Sequence, residues 1–305
     1  MSTPALDFWR RFRRHRAAVL SAVLLLLLLV GSFGTLPWSV RGMRTQQLQA
    51  ARQPPSSTYP LGTDEVGRNL LWRMLYGGAV SLSLGLLAAG LAVGIGTAYG
   101  AVAGYVGGRC DAVMMRVVDV LYALPTLLLV MLFTVSIGSV LQRGLALSGE
   151  TARFVVLALA IGGVSWLTVA RVVRGQVLSL RERPFIEAAR ALGLPTHRIL
   201  LRHLLPNLVG PVIVFATLTV PQAILQESFL SFLGVGVQPP QATWGSLAAD
   251  GVRALNPVRF DWWLVVFPGA ALAFTLLALN FVGDGLRDAL DVRRGVGAAG
   301  RSVAG

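Results

Sequence analysis

The side chains of this chain that could carry chemistry are few, and their spacing points away from catalysis. The histidines are His15, His197 and His203 and the one cysteine is Cys110. They are too scattered for a zinc constellation, and a single thiol makes no internal disulfide. Cys110 reads as a bland residue near a membrane boundary rather than a reactive thiol. No paired carboxylates share a pocket-like context and no nucleophile elbow occurs, so acid–base and acyl-transfer chemistry are both unsupported. All 27 residues of the Lys and Arg class are arginine. A P-loop places lysine on its phosphates, so this chain is not itself a P-loop ATPase. No cofactor and no metal are expected.

Two polar groupings remain. The first is the stretch 187–207, EAARALGLPTHRILLRHLLPN. Pro184 suits the first turn of a helix and Gly193 its left-handed exit, which predicts a helix over 185–192. Phe185, Ala188, Ala189 and Leu192 fall at i, i+3, i+4 and i+7 and form one apolar stripe on a helix too short to stand alone. Such a helix needs a partner, the small pair Ala188 and Ala189 admits a close approach, and Glu187 and Arg190 flank the stripe. Pro195 then starts a second short helix with Arg198 and Arg202 at i, i+4, and Pro206 marks a further restart. The second grouping is Gln222, Gln226 and Glu227, near the far end of an apolar run. Polar groups there are costly in lipid and must face a cavity or another helix, which leaves cargo contact, a gate and plain helix packing all open.

The elements that must position these groups are membrane spans. The chain has 305 residues, is 54% hydrophobic and 13% charged, and carries a net charge of +13; its mean hydropathy is +0.66. Charged residues are about half the usual share, as in a membrane protein. The arginines lie between apolar runs rather than along one face, which fits anionic lipid and topology and not nucleic acid. Spans are expected at 17–36, 79–105, 113–138, 152–170, 208–233 and 262–282, the first a retained signal anchor rather than a cleaved signal peptide. Leu70, Leu71, Met74 and Leu75 form an amphipathic patch suited to the membrane surface or the bundle. Gly85, Gly90, Gly94, Gly96, Gly100 and Gly104 suggest a groove for close helix contact. Arg116 and Asp119 are expected to neutralise one another, and Pro125 to kink the third span. Residues 234–261 read as a polar loop, and Trp262 and Trp263 as interfacial rings.

The fold class expected is therefore all-α: a polytopic membrane protein with six transmembrane helices. With both termini cytoplasmic, the inner segments hold 18 arginines and the outer ones 9, in line with the positive-inside bias. The arginines of 37–78 run against it. The chain divides into an anchor helix with its external loop (1–78), a transmembrane core (79–290) containing a cytoplasmic loop (171–207), and a flexible cytoplasmic tail (291–305).

The run Glu187-Ala188-Ala189, then Gly193, then Leu205-Pro206, resembles the EAA motif of ABC importer permeases, whose short coupling helix docks in a cleft of the ATPase subunit. His203 stands where the general pattern has isoleucine, and RHLLPN (202–207) resembles the peptide and nickel branch. PLGTDEVGRN (60–69), GYVGGRCD (104–111), MRVVDVLYALP (115–125), ESFLSFLGVGVQPPQATWG (227–245) and NFVGDGLRDALDVR (280–293) are similar to the second permease subunit, DppC/OppC type, of dipeptide and oligopeptide importers. Asn69 and Val292 depart from the commoner Asp and Pro.

The resemblance implies a type I ABC importer permease fold in a bacterial inner membrane. It also implies a homologous DppB/OppB-type permease partner, two ATPase subunits, and an extracytoplasmic solute-binding protein that delivers cargo. Phe185, Glu187, Ala188, Ala189, Arg190, Leu192, Gly193, Arg198 and Arg202 would then couple to the ATPase, while Gln222, Gln226 and Glu227 would be translocation or gate residues. Peptide is the cargo it suggests, with nickel or glutathione as the alternative. A self-sufficient secondary transporter would show inverted repeats and intramembrane ion ligands, and neither is evident.

Overall fold

The computed structural model describes residues 4–144, 149–255 and 260–290, and the expected tail 291–305 lies outside them. The described chain is helical: α1 (Pro4–Arg14), α2 (Arg16–Gly34), α3 (Leu36–Gly42), α4 (Leu70–Val106), α5 (Gly108–Tyr122), α6 (Thr126–Gly144), α7 (Gly149–Leu180), α8 (Pro184–Ala191), α9 (Thr196–Ile199), α10 (Leu205–Phe232), α11 (Trp244–Ala254) and α12 (Trp263–Leu290). A π-helical turn, Leu200–Leu204, joins α9 to α10, so that Thr196–Phe232 runs as one apolar helix.

Among the described residues, five helices are long and apolar enough to cross a membrane: α2, α4, α7, Thr196–Phe232 and α12. The expected third span is not one kinked helix. Between α5 and α6 the chain bends by 93°, because Pro125 offers no N–H to the preceding turn and disfavours helical backbone at Leu124. The second span starts earlier than hydropathy suggests. Asn69 caps α4 by accepting from the Leu71 N–H at 2.9 Å, so Leu70, Leu71, Met74 and Leu75 are the first turns of the span itself. Leu70 is buried with Ala254, Trp263 and Leu264.

The pair α4 and α7 forms the centre. A Cβ at Gly96 would strike Val169 and the Trp166 carbonyl, one at Gly100 the Ala170 carbonyl, and one at Gly104 the Arg174 carbonyl and Val177. Three glycines four residues apart therefore let two backbones meet without side chains between them. Gly90 and Gly94 face open space and are not part of the groove. Residue numbers rise together along this contact, so the two spans run parallel. The chain from the end of α4 to the start of α7 must then return across the membrane, which makes the bent α5–α6 pair the sixth crossing. On its other face α4 meets α10 in the opposite sense, with Gly85 against Ile224 and Ala92 and Ala101 in one cluster with Leu204 and Leu208. The end of α12 meets the start of α2 and the end of α1, with Gly285 against Ala18 and Phe12.

These directions put α1, the end of α12 and residues 181–207 on one face. The other face carries α3, the loop before α4, the start of α7 and α11. The last of these was not visible in the sequence, where 234–261 reads as loop. A capping box, Thr243 with Ser246, starts α11 once the Pro239-Pro240 stretch is past, with serine in the place more often held by Glu or Gln.

Gly100→Ala is expected to lower the thermal stability of the detergent-solubilised protein by about 2 kcal/mol or more through overpacking. Gly94→Ala, which gains helix propensity and meets nothing, should be neutral or stabilising. Equal melting temperatures for the two variants would contradict the α4–α7 packing.

Candidate functional site

The short helix α8 is set by its ends. Arg183 precedes it with extended backbone and Pro184 occupies the first turn. At its exit the Gly193 N–H donates to the Arg190 carbonyl (2.9 Å) and the Leu194 N–H to the Ala189 carbonyl (3.2 Å), while Gly193 sits at φ +72°. This is a Schellman turn, and it requires the left-handed backbone that glycine tolerates. Pro195 then leads into α9, and Arg198 and Arg202 both project exposed.

The apolar stripe is divided differently from the expectation. Ile186 (0% exposed) and Ala189 (4%) face inward against Val173, Val177, Ile199 and Leu204. Phe185 (41%), Ala188 and Leu192 (80%) face outward. Ala189 is thus taken by the chain's own core, and Ile186, which the sequence stripe omits, is the main anchor. Glu187 is exposed beside a cleft of about 580 Å³ lined with Tyr105, Arg181, Glu182, Arg190 and Thr196. The Arg190 guanidinium lies 5.0 Å over the Tyr105 ring.

Arginines of α7 and of the joint that follows it tie this end to its neighbours. Arg174 holds Asp111 of α5 in a two-pronged ion pair, Nη2 to Oδ2 at 2.6 Å. Arg171 pairs with Asp119 at 2.9 Å and stacks 4.4 Å over Tyr122, so Asp119 is neutralised from α7 and not by Arg116. Arg181 Nη1 donates to the Gly104 carbonyl at 3.2 Å. The helix that leads into α8 is thereby fastened to α5 and to the end of α4.

Of the second grouping, Gln222 and Gln226 come together and Glu227 does not join them. The two glutamines line a cavity of about 220 Å³ with Tyr122, Thr126, Ser165 and Thr168. Glu227 is fully buried on another side of α10, where Ser231 Oγ donates to its Oε1 at 2.6 Å and where Ser228 fits against Gly245 of α11. Thr243, the N-cap residue of α11, is also a hydrogen-bond partner, so Glu227 sits at the contact of α10 with α11.

On the opposite face the PLGTDEVGRN run forms a buried ionic knot that sequence reading did not single out. Arg73 (2% exposed) pairs with Asp64 at 2.8 Å and Asp250 of α11 at 3.3 Å. Asp64 also receives Arg68 Nε at 2.6 Å and the backbone N–H groups of Val66 and Arg68. Trp263 Nε1 donates to the Thr63 carbonyl at 3.2 Å.

Comparison with known proteins bears on both faces. Residues 64–296 match the family described as binding-protein-dependent transport system inner membrane component. Residues 3–55 match the N-terminal TM domain of oligopeptide transport permease C. The dipeptide transport system permease protein DppC of Bacillus subtilis (strain 168) is 42% identical over 285 residues, 93% of this chain and 84% of the relative. The oligopeptide transport system permease protein OppC of Escherichia coli (strain K12) is 41% identical over 295 residues, 93% of this chain and 90% of the relative. Among solved structures, the MetNI methionine ABC transporter in inward-facing form contains a chain similar in fold, with a TM-score of 0.55 and 20% identity over 72% of this chain and 97% of that one.

Asp64→Ala should destabilise the protein by about 1.5–3 kcal/mol, because it takes the shorter of two carboxylate contacts from the buried Arg73 guanidinium and leaves it with Asp250. Removing both charges, Asp64→Ala with Arg73→Met, should cost less than the sum of the two single changes. Additive losses in thermal melts of the four proteins would remove the knot from the account of stability.

Proposed function

The chain belongs to the family of binding-protein-dependent transport system inner membrane components, and from that premise we propose that it is one permease half of an ATP-driven importer of dipeptides or oligopeptides. It is a multi-pass inner membrane protein. The peptide cargo is supported by relatives at about 40% identity that bear dipeptide and oligopeptide transport names over most of their length.

Coupling to a separate ATPase is carried by one observation, the two-sided α8. Ile186 and Ala189 tie it to α7 and to the helix Thr196–Phe232, while Phe185, Ala188 and Leu192 present an apolar surface that the rest of the described chain leaves uncovered. Two ATPase subunits supply the nucleotide sites that a lysine-free chain lacks, one of them covering this surface and the other serving the partner permease. Glu187 and Arg190 flank the contact, the left-handed turn at Gly193 sets its angle, and Arg198 and Arg202 lie within reach on the next helix. ATP-driven closure displaces α8, and α7 and α10 pass that displacement to the pathway between inward- and outward-facing states. A homologous permease of the DppB/OppB type completes the pathway, and an extracytoplasmic solute-binding protein delivers cargo to the face that carries α11. Membrane lipid surrounds the remainder.

The face of α8 is assigned to the cytoplasm, together with both termini, because 18 of the 27 arginines fall in the segments on that side. Cys110, exposed at the start of α5, reports on this directly. A membrane-impermeant maleimide should label it in inverted vesicles and not in intact spheroplasts; the reverse pattern would invert the topology.

Leu192→Asp should leave insertion and melting unchanged, since the side chain is exposed, and should weaken co-purification of the ATPase by about tenfold or more, the equivalent of one large apolar group left unburied. Glu187→Arg and Gly193→Pro should separate ATP hydrolysis from uptake. Normal ATPase recovery with Leu192→Asp, and normal uptake in the other two, would end the coupling assignment.

A further inference from the structure

We propose that the cavity between the α5–α6 break, α7 and α10 is a contact surface for the peptide backbone of the cargo, read by the side-chain amides of Gln222 and Gln226. This rests on the importer reading above and adds to it the chemistry by which cargo is recognised inside the membrane.

Position comes first. Ser165 and Thr168, two of the lining residues, sit near the middle of α7, so the cavity lies at membrane depth. Gln222 is exposed there. An amide facing hydrocarbon at that depth is costly, so this face of α10 belongs to a polar interior and not to lipid. The 93° turn at Pro125 opens it, because α6 leaves the axis of α5 where a straight span would have covered the glutamines.

Unsatisfied bonding comes second. Gln226 Oε1 is buried without a hydrogen-bond partner. A buried carbonyl oxygen in that state calls for a donor, which the N–H of a peptide can supply, and leaving it unpaired costs more than a solvated group would. The cavity is lined as well by Tyr122, Thr126, Ser165 and Thr168 and by the second amide.

Charge comes third and selects the ligand. The lining has no carboxylate, imidazole, thiolate or free cation. At its edge Arg171 is paired with Asp119 and stacked on Tyr122, and Glu227, the next residue along α10, bonds to Ser231 on another side. A nickel ion would seek imidazole, thiolate or carboxylate and finds none. A peptide bond offers one N–H donor and one carbonyl acceptor at every residue, the complement of a glutamine amide, whatever the side chains beside it. The wall therefore suits cargo of varied sequence and net charge.

The test uses the complete transporter in liposomes, with partner permease, ATPases and binding protein, and a mixture of alanine di- and oligopeptides as probe. In a Cys110→Ser background, maleimide labelling of Gln222→Cys should slow by about threefold or more during turnover with peptide-loaded binding protein, as for a site occupied through most of the cycle. ATP alone or nickel chloride should give no protection. Gln226→Met should lower peptide uptake by about tenfold, one hydrogen bond to cargo, while ATPase stimulation by loaded binding protein persists and reports an intact fold. Labelling that ignores peptide, labelling blocked in every state by a covering helix, protection by nickel instead of peptide, or wild-type uptake by Gln226→Met would each overturn the inference. A wild-type transporter that takes up no peptide would overturn the importer reading beneath it, so the two failures are distinguishable.

Discussion

The approach of α4 to α7 is the constraint from which the other features follow. Lipid provides no solvent drive for two apolar helices to associate, so their contact depends on van der Waals packing at short range. Gly96, Gly100 and Gly104 make that range accessible by bringing one backbone onto the carbonyls of the other. Because the two spans are parallel, the intervening chain has to recross the bilayer. It does so as a broken pair, with α5 fastened to α7 through Arg174–Asp111 and Arg171–Asp119. The opposite face of α4 takes α10, and the loop between α7 and α10 is thereby delivered to the end of the central pair.

Polar chemistry is distributed along this axis in three tiers. One end carries the ionic knot of Asp64, Arg68, Arg73 and Asp250, where α4 is capped and α11 lies across it. The other end carries the Arg171, Arg174 and Arg181 contacts and α8. Between them the lining of the central cavity is uncharged, made of amides and hydroxyls beside apolar side chains. Full charges are thus kept toward the two ends and paired there, and neutral dipoles line the cavity at depth, which is the cheaper arrangement in a low-dielectric slab.

Much of this was legible in the residues, and the failures have physical causes. Long apolar runs located the spans, and Pro184 and Gly193 bracketed α8 because both act through local backbone geometry. Periodicity could not say which face of α8 belongs to the chain's own core, since an eight-residue helix with Phe185, Ile186, Ala188, Ala189 and Leu192 is apolar on two sides. Asp119 was matched with its near neighbour Arg116, whereas its partner Arg171 is distant in sequence and adjacent only once α5 lies against α7. Glu227 looked like a companion of Gln226, yet consecutive helical residues point about 100° apart, which sends one to α11 and the other to the cavity. The helix α11 was hidden by the glycines and prolines ahead of it and by a capping serine that carries little weight in a sequence pattern.

The link between α7 and α8 has a mechanical consequence. Only Arg181, Glu182 and Arg183 separate Leu180 from Pro184, and Arg181 is pinned to the Gly104 carbonyl at the end of α4. A joint so short has no slack. It cannot act as a tether that stretches before it pulls, so in the coupling proposed above a push on α8 would arrive at the bilayer as torque on two packed rods at once. Lengthening such a joint would make the machine idle rather than weak, turning a crank into a loose hinge.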